Sequence, residues 1–186
     1  PRPQQPHLAI LVTAAGQKTQ TVKLRQVLDT PEFRHHPGLL KIGLGLNTLG
    51  HPVTIDLTQM PHLLIGGTTG SGKSTALHAI IASLLCTYPP NVVQFLMIDP
   101  LAVELKIYDD LPHMFAPVVT RSSQALDTLG TVDKVIDRRY QIFSENQARN
   151  IQAYNRKLAA TDKDAIPYIV IAIDNVFDLL MMATDD

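Results

Sequence analysis

Two nearly continuous apolar runs in the second half of the chain each end at an aspartate. Residues 92–98 lead into Asp99, and residues 168–173 lead into Asp174. Short uninterrupted apolar runs are typical of parallel strands that are buried on both faces. Elsewhere, apolar residues recur every three or four positions, which is the spacing of amphipathic helices. Strands that alternate with helices predict an α/β fold with a mainly parallel sheet flanked by helices.

Helical spacing is clearest in two stretches. The first predicted helix follows a glycine-rich segment and should end before Pro89, and its apolar stripe consists of Leu77, Ile80, Ile81, Leu84 and Leu85. A longer helix is predicted to start near Ser122, which is a suitable N-cap. Its apolar face consists of Leu126, Leu129, Val132, Ile136, Tyr140 and Phe143. Another helical segment follows at residues 151–158.

Shorter elements complete the prediction. An apolar strand at residues 62–65 enters the glycine-rich segment, and short antiparallel strands within residues 44–57 turn at residues 49–52. The remaining short elements are helices at residues 21–28 and 103–108 and strands at residues 7–14 and 117–119.

Length and composition indicate one domain with a short extension. The chain has 186 residues, of which 45% are hydrophobic, enough to bury the core of one domain. We assign residues 1–37 to an N-terminal linker and extension and residues 38–186 to the core. A formal net charge of −1 excludes a generally basic protein that coats nucleic acid, although local basic contacts remain possible.

Cysteine usage and hydropathy indicate the compartment. The single cysteine, Cys86, allows no intrachain disulfide, and we expect it to pack in the core. No apolar run approaches the roughly 18 residues of a membrane span, so we expect no membrane segment in this piece. We predict that the chain is located in the cytoplasm, either as a free protein or as the cytoplasmic part of a membrane-anchored bacterial protein.

Residues 67–74 contain a complete G-x-x-x-x-G-K-[ST] phosphate-binding loop. Its glycines allow backbone conformations closed to other residues, so successive N–H groups can converge on phosphate at a helix N-terminus. Lys73 is expected to reach the β- and γ-phosphates of ATP, and Ser74 to offer its hydroxyl to Mg²⁺. The expected nucleotide-binding residues are Gly67, Thr68, Thr69, Gly70, Ser71, Gly72, Lys73, Ser74 and Thr75.

A loop of this type needs a second group to hold Mg²⁺, usually an aspartate at the carboxyl end of a neighbouring parallel strand. Asp174 fits that description, and we predict that Ser74 and Asp174 hold the metal. Asp99 ends the other apolar strand. It is expected either to line the same cleft, close to Mg²⁺-bound water, or to cap the segment that follows it.

A family resemblance is carried by several segments of the chain, namely residues 61–75, 96–100, 103–105, 111–113, 116–120, 138–140, 149–151, 154–155 and 167–174, and more loosely by residues upstream. In these segments the sequence resembles the motor domain of the FtsK/SpoIIIE family of DNA translocases. It implies a RecA-like ATPase core that binds ATP and Mg²⁺. The family resemblance also implies a homohexameric ring that surrounds double-stranded DNA and moves it in chromosome segregation or DNA transfer.

Three departures from the family pattern bear on activity. Asn175 stands where family members place a glutamate as general base, and loss of a general base typically costs about 10² to 10⁴ in rate. We read Asn175 either as natural or as a change made to trap ATP, and an amide can still orient a water. Leu101 replaces a family lysine, so a basic contact is lost. The chain also stops just past the metal-binding strand, as a fragment of a longer motor would.

Several alternatives stay open. Arg138, Arg139 and Arg149 are candidates for an arginine supplied to a neighbouring subunit, or else they lie on a solvated or ion-paired helix face. Asn175 also suits a nucleotide-binding ring component that does not hydrolyse ATP. A protein-export ATPase of the type VII secretion kind shares the same motifs and is the third possibility.

Overall fold

The structure is a computed structural model that describes residues 21–60, 62–159, 161 and 165–182. The strand predicted at residues 7–14 lies outside these residues, and the domain boundary after residue 37 stays a prediction. The described helices and strands are α1 (Leu24–Leu28), α2 (Pro31–Arg34), β1 (Lys41–Leu46), β2 (Pro52–Asp56), α3 (Lys73–Thr87), β3 (Val93–Ile98), α4 (Ser122–Glu145), α5 (Ile151–Leu158), β4 (Tyr168–Ile173) and α6 (Val176–Met182).

The first unit is an antiparallel hairpin covered by two short helices. β1 pairs with β2, with Lys41 opposite Asp56 and a register shift between Gly43 and Gly45. Gly45 has a φ of 142°, a conformation that glycine adopts readily. The helices α1 and α2 pack against this hairpin and bury Val27 and Phe33. The predicted antiparallel pair is therefore confirmed, although its first strand begins at residue 41.

The second unit is the parallel sheet. β3 and β4 pair in parallel and in register, with Val93 opposite Tyr168 and Ile98 opposite Ile173. On the other edge of β3, Met114 and Val119 form isolated parallel bridges, so the strand predicted at residues 117–119 is reduced to one bridge. The short sheet confirms the α/β prediction and places the carboxyl ends of both strands side by side.

Helix α3 joins the two units into one core. Ile80, Ile81 and Leu84 are buried, and they pack in one apolar cluster with residues of β1, β3 and β4. The buried Ser83 hydroxyl accepts a bond from the Gly43 amide at 3.1 Å and donates to the Ala79 carbonyl at 2.7 Å. The predicted apolar stripe of α3 is thus confirmed, and a polar bond fixes the hairpin on the helix.

Two helix predictions need correction. Arg121 occupies the N-cap of α4, and Ser122 is its first helical residue, so Ser122 is not the cap. Along the predicted apolar face, Val132 and Phe143 are buried, but Leu126, Ile136 and Tyr140 are exposed. The buried side also includes Ala125, because α4 contacts its neighbours along a strip narrower than its apolar face.

Three further expectations are wrong in detail. Residues 62–65 form no strand, since no other strand pairs with them among the described residues. The helix predicted at residues 103–108 is only a 3₁₀ turn at Lys106–Tyr108. Cys86 is exposed, because its position on α3 faces away from the buried stripe.

In the described part of the chain, no helix has both the length and the apolar character needed to cross a membrane.

Candidate nucleotide-binding site

The phosphate-binding loop has a backbone shape that depends on glycine. Gly70 and Gly72 have φ angles of 76° and 94°, in the left-handed region, and Gly72 is the N-cap of α3. A Cβ added to Gly67 would lie 2.4 Å from Ser71 Oγ, which is closer than atoms can approach. The loop is therefore built on three positions where a side chain costs strain or space.

Lys73 begins α3 and reaches back over the loop. Its Nζ donates to the carbonyls of Gly67 at 2.9 Å and Thr68 at 3.0 Å. The first N–H groups of a helix have no partner within the helix, so Lys73, Ser74 and Thr75 present amides next to this ammonium group. This arrangement suits a phosphate, which accepts from backbone amides at a helix N-terminus.

The two strand-terminal aspartates lie side by side, because β3 and β4 are in register up to Ile98 and Ile173. Asp99 is completely buried, and its Oδ2 accepts from the amides of Glu104 at 2.9 Å and Leu105 at 2.8 Å. Its Oδ1 has no hydrogen-bond partner in the described residues. Asp99 thus caps the following segment with one oxygen and leaves the other unused.

The electrostatics of Asp174 show which groups surround it. Burial raises the pKa of its carboxyl above the usual 3.8, and the charges of Asp99 and Glu104 raise this pKa further. A hydrogen bond from the Asn175 backbone amide and the nearby His78 act in the opposite direction. The strand ends and α3 therefore bring Asp174, Asp99, Glu104 and His78 together.

Sequence reasoning missed a side-chain network next to the loop. His78 Nε2 lies 3.0 Å from Glu104 Oε2, and His78 Nδ1 lies 2.7 Å from the Tyr108 hydroxyl. The hydrogen bond to His78 first, and then an interaction with the Ser74 hydroxyl, lower the pKa of the Glu104 carboxyl. One signal was present in the sequence: His78 follows Ser74 by four residues, which places both on one helix face.

Asn175 has a left-handed backbone, with a φ of 55°. Asparagine is several-fold enriched in this region, whereas most side chains with a Cβ are strained there. Its amide N–H lowers the pKa of Asp174 by a hydrogen bond to that carboxylate. Asparagine therefore suits the backbone at this position, whatever the side chain contributes to chemistry.

The three arginine candidates differ in their surroundings. Arg139 is half-buried, and its Nη1 donates to the Pro167 carbonyl at 2.9 Å, so it fixes the entry to β4. Burial lowers the pKa of its guanidinium group. Arg138 and Arg149 are exposed. A role for Arg139 toward a neighbouring subunit is not supported, because its guanidinium is already engaged within the chain.

The segment before β4 is held in the same way by other residues that carry the resemblance. Asn155 bonds both backbone groups of Ile166, accepting from the amide at 3.0 Å and donating to the carbonyl at 2.9 Å. The Asn150 side chain caps α5 by accepting from the Ala153 amide at 2.8 Å. Asn155 and Arg139 therefore position the strand that ends in Asp174, and Asn150 caps the helix that carries Asn155.

The residues present fit a magnesium nucleotide. The buried Asp99 oxygen has no hydrogen-bond partner in the described residues, and burial followed by the neighbouring acids raises the pKa of the Asp174 carboxyl, so a cation would stabilise the ionised form of both groups. In the described residues, no set of three or more His, Cys, Asp or Glu side chains is arranged to hold a metal alone. Mg²⁺ is usually held by one or two protein groups together with water and substrate phosphates.

The fold and this loop together define an α/β domain with a P-loop at the start of a helix. A structure of Thermomonospora curvata EccC, comprising ATPases 2 and 3 with a signal sequence peptide, matches 81% of this chain and 29% of that chain, with a TM-score of 0.70 and 24% identity. The pCW3 conjugation coupling protein TcpA, solved with ATPγS, matches 75% of this chain and 36% of that chain, with a TM-score of 0.59 and 26% identity.

The chain belongs to the FtsK/SpoIIIE family, whose model matches residues 23–186. The DNA translocase FtsK of Halalkalibacterium halodurans is 41% identical over 184 residues, which cover 96% of this chain and 23% of that protein. The DNA translocase FtsK of Helicobacter pylori is 40% identical over 164 residues, covering 88% of this chain and 19% of that protein. The chain thus spans less than a quarter of the length of either relative.

Proposed function

We propose that this chain is the ATP-binding motor part of a double-stranded DNA translocase that acts in chromosome segregation or DNA transfer. The observation that carries the proposal is the loop at residues 67–74, with Lys73 and Ser74 at the start of α3 and Asp174 among the nearby acidic side chains. Relatives that share about 40% of its residues are DNA translocases. The intact protein works as a homohexamer on duplex DNA.

In this proposal each site residue has a role. The amides of Gly67 to Thr75 and the Lys73 ammonium hold the phosphates, and Ser74 and Asp174 hold Mg²⁺. When bound, Mg²⁺ neutralises phosphate charge. Lys73 now donates to two loop carbonyls, and we expect it to exchange these bonds for phosphate oxygens. The cytoplasmic location expected from the sequence stays a prediction.

Nucleotide binding by a Lys73→Ala variant tests the proposal. Wild type is expected to bind ATPγS with Mg²⁺ at micromolar dissociation constants, and the variant at least about 100-fold more weakly, since it loses a charge-assisted contact to phosphate. Isothermal titration calorimetry measures both. Lys134→Ala removes an exposed lysine on α4 and serves as the matched control. Equal binding by Lys73→Ala and wild type would remove the phosphate-loop assignment.

Asn175 favours a second candidate, a ring component that binds nucleotide without turnover. A side-chain amide accepts no proton from water, so hydrolysis is expected to be slow. Asn175→Glu in the full-length protein tests this, although a glutamate must adopt the left-handed backbone at a cost of about 1 kcal/mol. Faster hydrolysis in the variant supports the translocase with impaired turnover. Brisk hydrolysis by the Asn175 protein, stimulated by duplex DNA, would show that position 175 is not limiting.

A protein-export role has weaker support. The EccC match at 24% identity bears on fold alone, whereas the relatives at 40 to 41% identity are named as DNA translocases. We therefore expect duplex DNA, and not polypeptide, to stimulate ATP turnover in the full-length protein.

A further inference from the structure

We propose that Glu104 is a second carboxylate of the cation site, beside Ser74 and Asp174, and supplies the negative charge that position 175 lacks. The proposal rests on the function proposed above and adds a residue to the same site. His78 is a positioning residue that holds Glu104 toward Ser74.

The Glu104 carboxylate lies between the start of α3 and the strand ends. His78, whose Nε2 is 3.0 Å from this carboxylate, follows Ser74 by four residues and so lies on the same helix face. The Glu104 amide donates to Asp99 at the end of β3, beside the strand that ends in Asp174. A carboxylate between the two expected metal ligands is placed to share the same cation.

The chain holds Glu104 from two sides. Asp99 Oδ2 accepts from the Glu104 amide at 2.9 Å, which fixes its backbone at the end of β3. His78 Nε2 lies 3.0 Å from its carboxylate, and the Tyr108 hydroxyl, 2.7 Å from His78 Nδ1, orients the imidazole ring. Hydrogen bonds of this kind orient metal-site groups in proteins and are needed for their affinity.

One buried acid oxygen next to Glu104 has no partner. Asp99 Oδ2 accepts from the Glu104 amide, but Asp99 Oδ1 is buried without a hydrogen-bond partner in the described residues. In the same part of the chain the Lys73 ammonium donates to loop carbonyls and not to a carboxylate. Burying a charged oxygen without a partner is costly, and a divalent cation would offset that cost.

Metal affinity can be measured without hydrolysis by titrating Mn²⁺ into the chain in the presence of ATPγS and recording free Mn²⁺ by EPR. We expect Glu104→Gln to weaken Mn²⁺ binding by about 10- to 100-fold, the range seen when residues around a metal site are removed. Binding of ATPγS in EDTA should stay within about twofold of wild type, which also verifies that the variant is folded. Glu32→Gln, an exposed residue on α2, is the matched control.

The outcomes separate this proposal from the proposed function. If wild type binds no ATPγS with or without metal, both fail. If wild type binds Mn²⁺ with ATPγS and Glu104→Gln binds it within about twofold as well, only the role of Glu104 is overturned. Loss of metal-free binding in Glu104→Gln also overturns it, since Glu104 would then support the loop and not the cation.

The positioning role of His78 has its own readout. His78→Ala should weaken Mn²⁺ binding less than Glu104→Gln does, and the double variant should be no weaker than Glu104→Gln alone. This non-additivity is expected because His78 acts through Glu104. Additive effects would mean that His78 influences the metal independently, and would overturn the positioning role.

Discussion

Asp56 and Asp174 are both partly buried aspartates at the end of a strand, yet the chain surrounds them differently. Asp56, the last residue of β2, accepts from the amides of Leu39 at 3.1 Å and of Leu40 and Thr58 at 3.0 Å. Burial raises its pKa, but these hydrogen bonds outweigh burial and hold the pKa below 3.8. For Asp174, burial and the charges of Asp99 and Glu104 raise the pKa instead.

The two aspartates differ in how the chain treats their charge. The amides around Asp56 satisfy its charge within the chain, so the ionised form stabilises the hairpin. At Asp174, burial and then the neighbouring acids disfavour the ionised form. In the function proposed above, a bound cation would offset this cost.

The same substitution at both positions should have opposite effects on stability. Asp56→Asn places an NH₂ group against a backbone amide, and we expect the free energy of unfolding to fall by about 2 kcal/mol. Asp174→Asn removes one of three neighbouring negative charges, and we expect a gain of roughly 0.5 kcal/mol in the metal-free protein, because solvent screens the site. Urea denaturation in EDTA measures both values.

Equal losses in the free energy of unfolding for Asp174→Asn and Asp56→Asn in the metal-free protein would contradict the expected difference between the two aspartates. In that case the carboxylate at residue 174 would be structural. As a cross-check, Asp174→Asn should weaken Mn²⁺ binding with ATPγS, whereas Asp56→Asn should not.

The glycines of the loop offer a second, smaller test. A Cβ at Gly67 would meet Ser71 Oγ at 2.4 Å, whereas a Cβ at the neighbouring Gly66 would meet nothing within 4 Å. We expect Gly67→Ala to weaken ATPγS binding by about tenfold, or about 1.4 kcal/mol, while stability changes little. Gly66→Ala is the matched control and should bind normally. Equal affinities for both variants would show that loop shape does not limit binding.

The smallest effect is the pH dependence of stability. Because the folded pKa of Asp56 lies below 3.8, its contribution is present above pH 3.8 and is lost as pH falls through the folded value. Because the folded pKa of Asp174 lies above 3.8, its protonated form stabilises below pH 3.8, and this contribution is lost as pH rises through the folded value.

Chemical denaturation between about pH 2 and pH 7 measures these slopes. Asp56→Asn should flatten the acid limb of the stability curve, and Asp174→Asn should flatten the decline above pH 3.8. A curve for Asp174→Asn that matches wild type would contradict the raised pKa. The measurement must be made in EDTA, since a bound cation would reverse the preference at Asp174.

Local patterns predicted the parts of the fold that depend on neighbours in sequence. The start of α3 at Lys73 and its buried stripe follow from the glycine loop and from the three- and four-residue spacing. The two apolar runs predicted the strands β3 and β4, but their in-register pairing is seen only in the structure. The strand predicted at residues 62–65 did not form, because a strand also requires a partner at its edge, and nothing in its own residues specifies one.

The apolar face of α4 likewise depends on a partner that its own residues do not specify. Leu126, Ile136 and Tyr140 have helical spacing, but only a surface that covers them would bury them. The arginine candidates behave similarly, because a helix pattern does not reveal that Arg139 reaches the Pro167 carbonyl.

The sequence by itself determined the phosphate loop, the placement of Asp174 at a strand end and membership of the FtsK/SpoIIIE family, since short motifs and apolar runs specify these locally. Only the tertiary structure decided which acids meet. Asp99 holds the chain after β3 so that Glu104 reaches His78 on α3, 26 positions earlier in the sequence. Contacts over such distances depend on packing of the whole core, which no local pattern encodes.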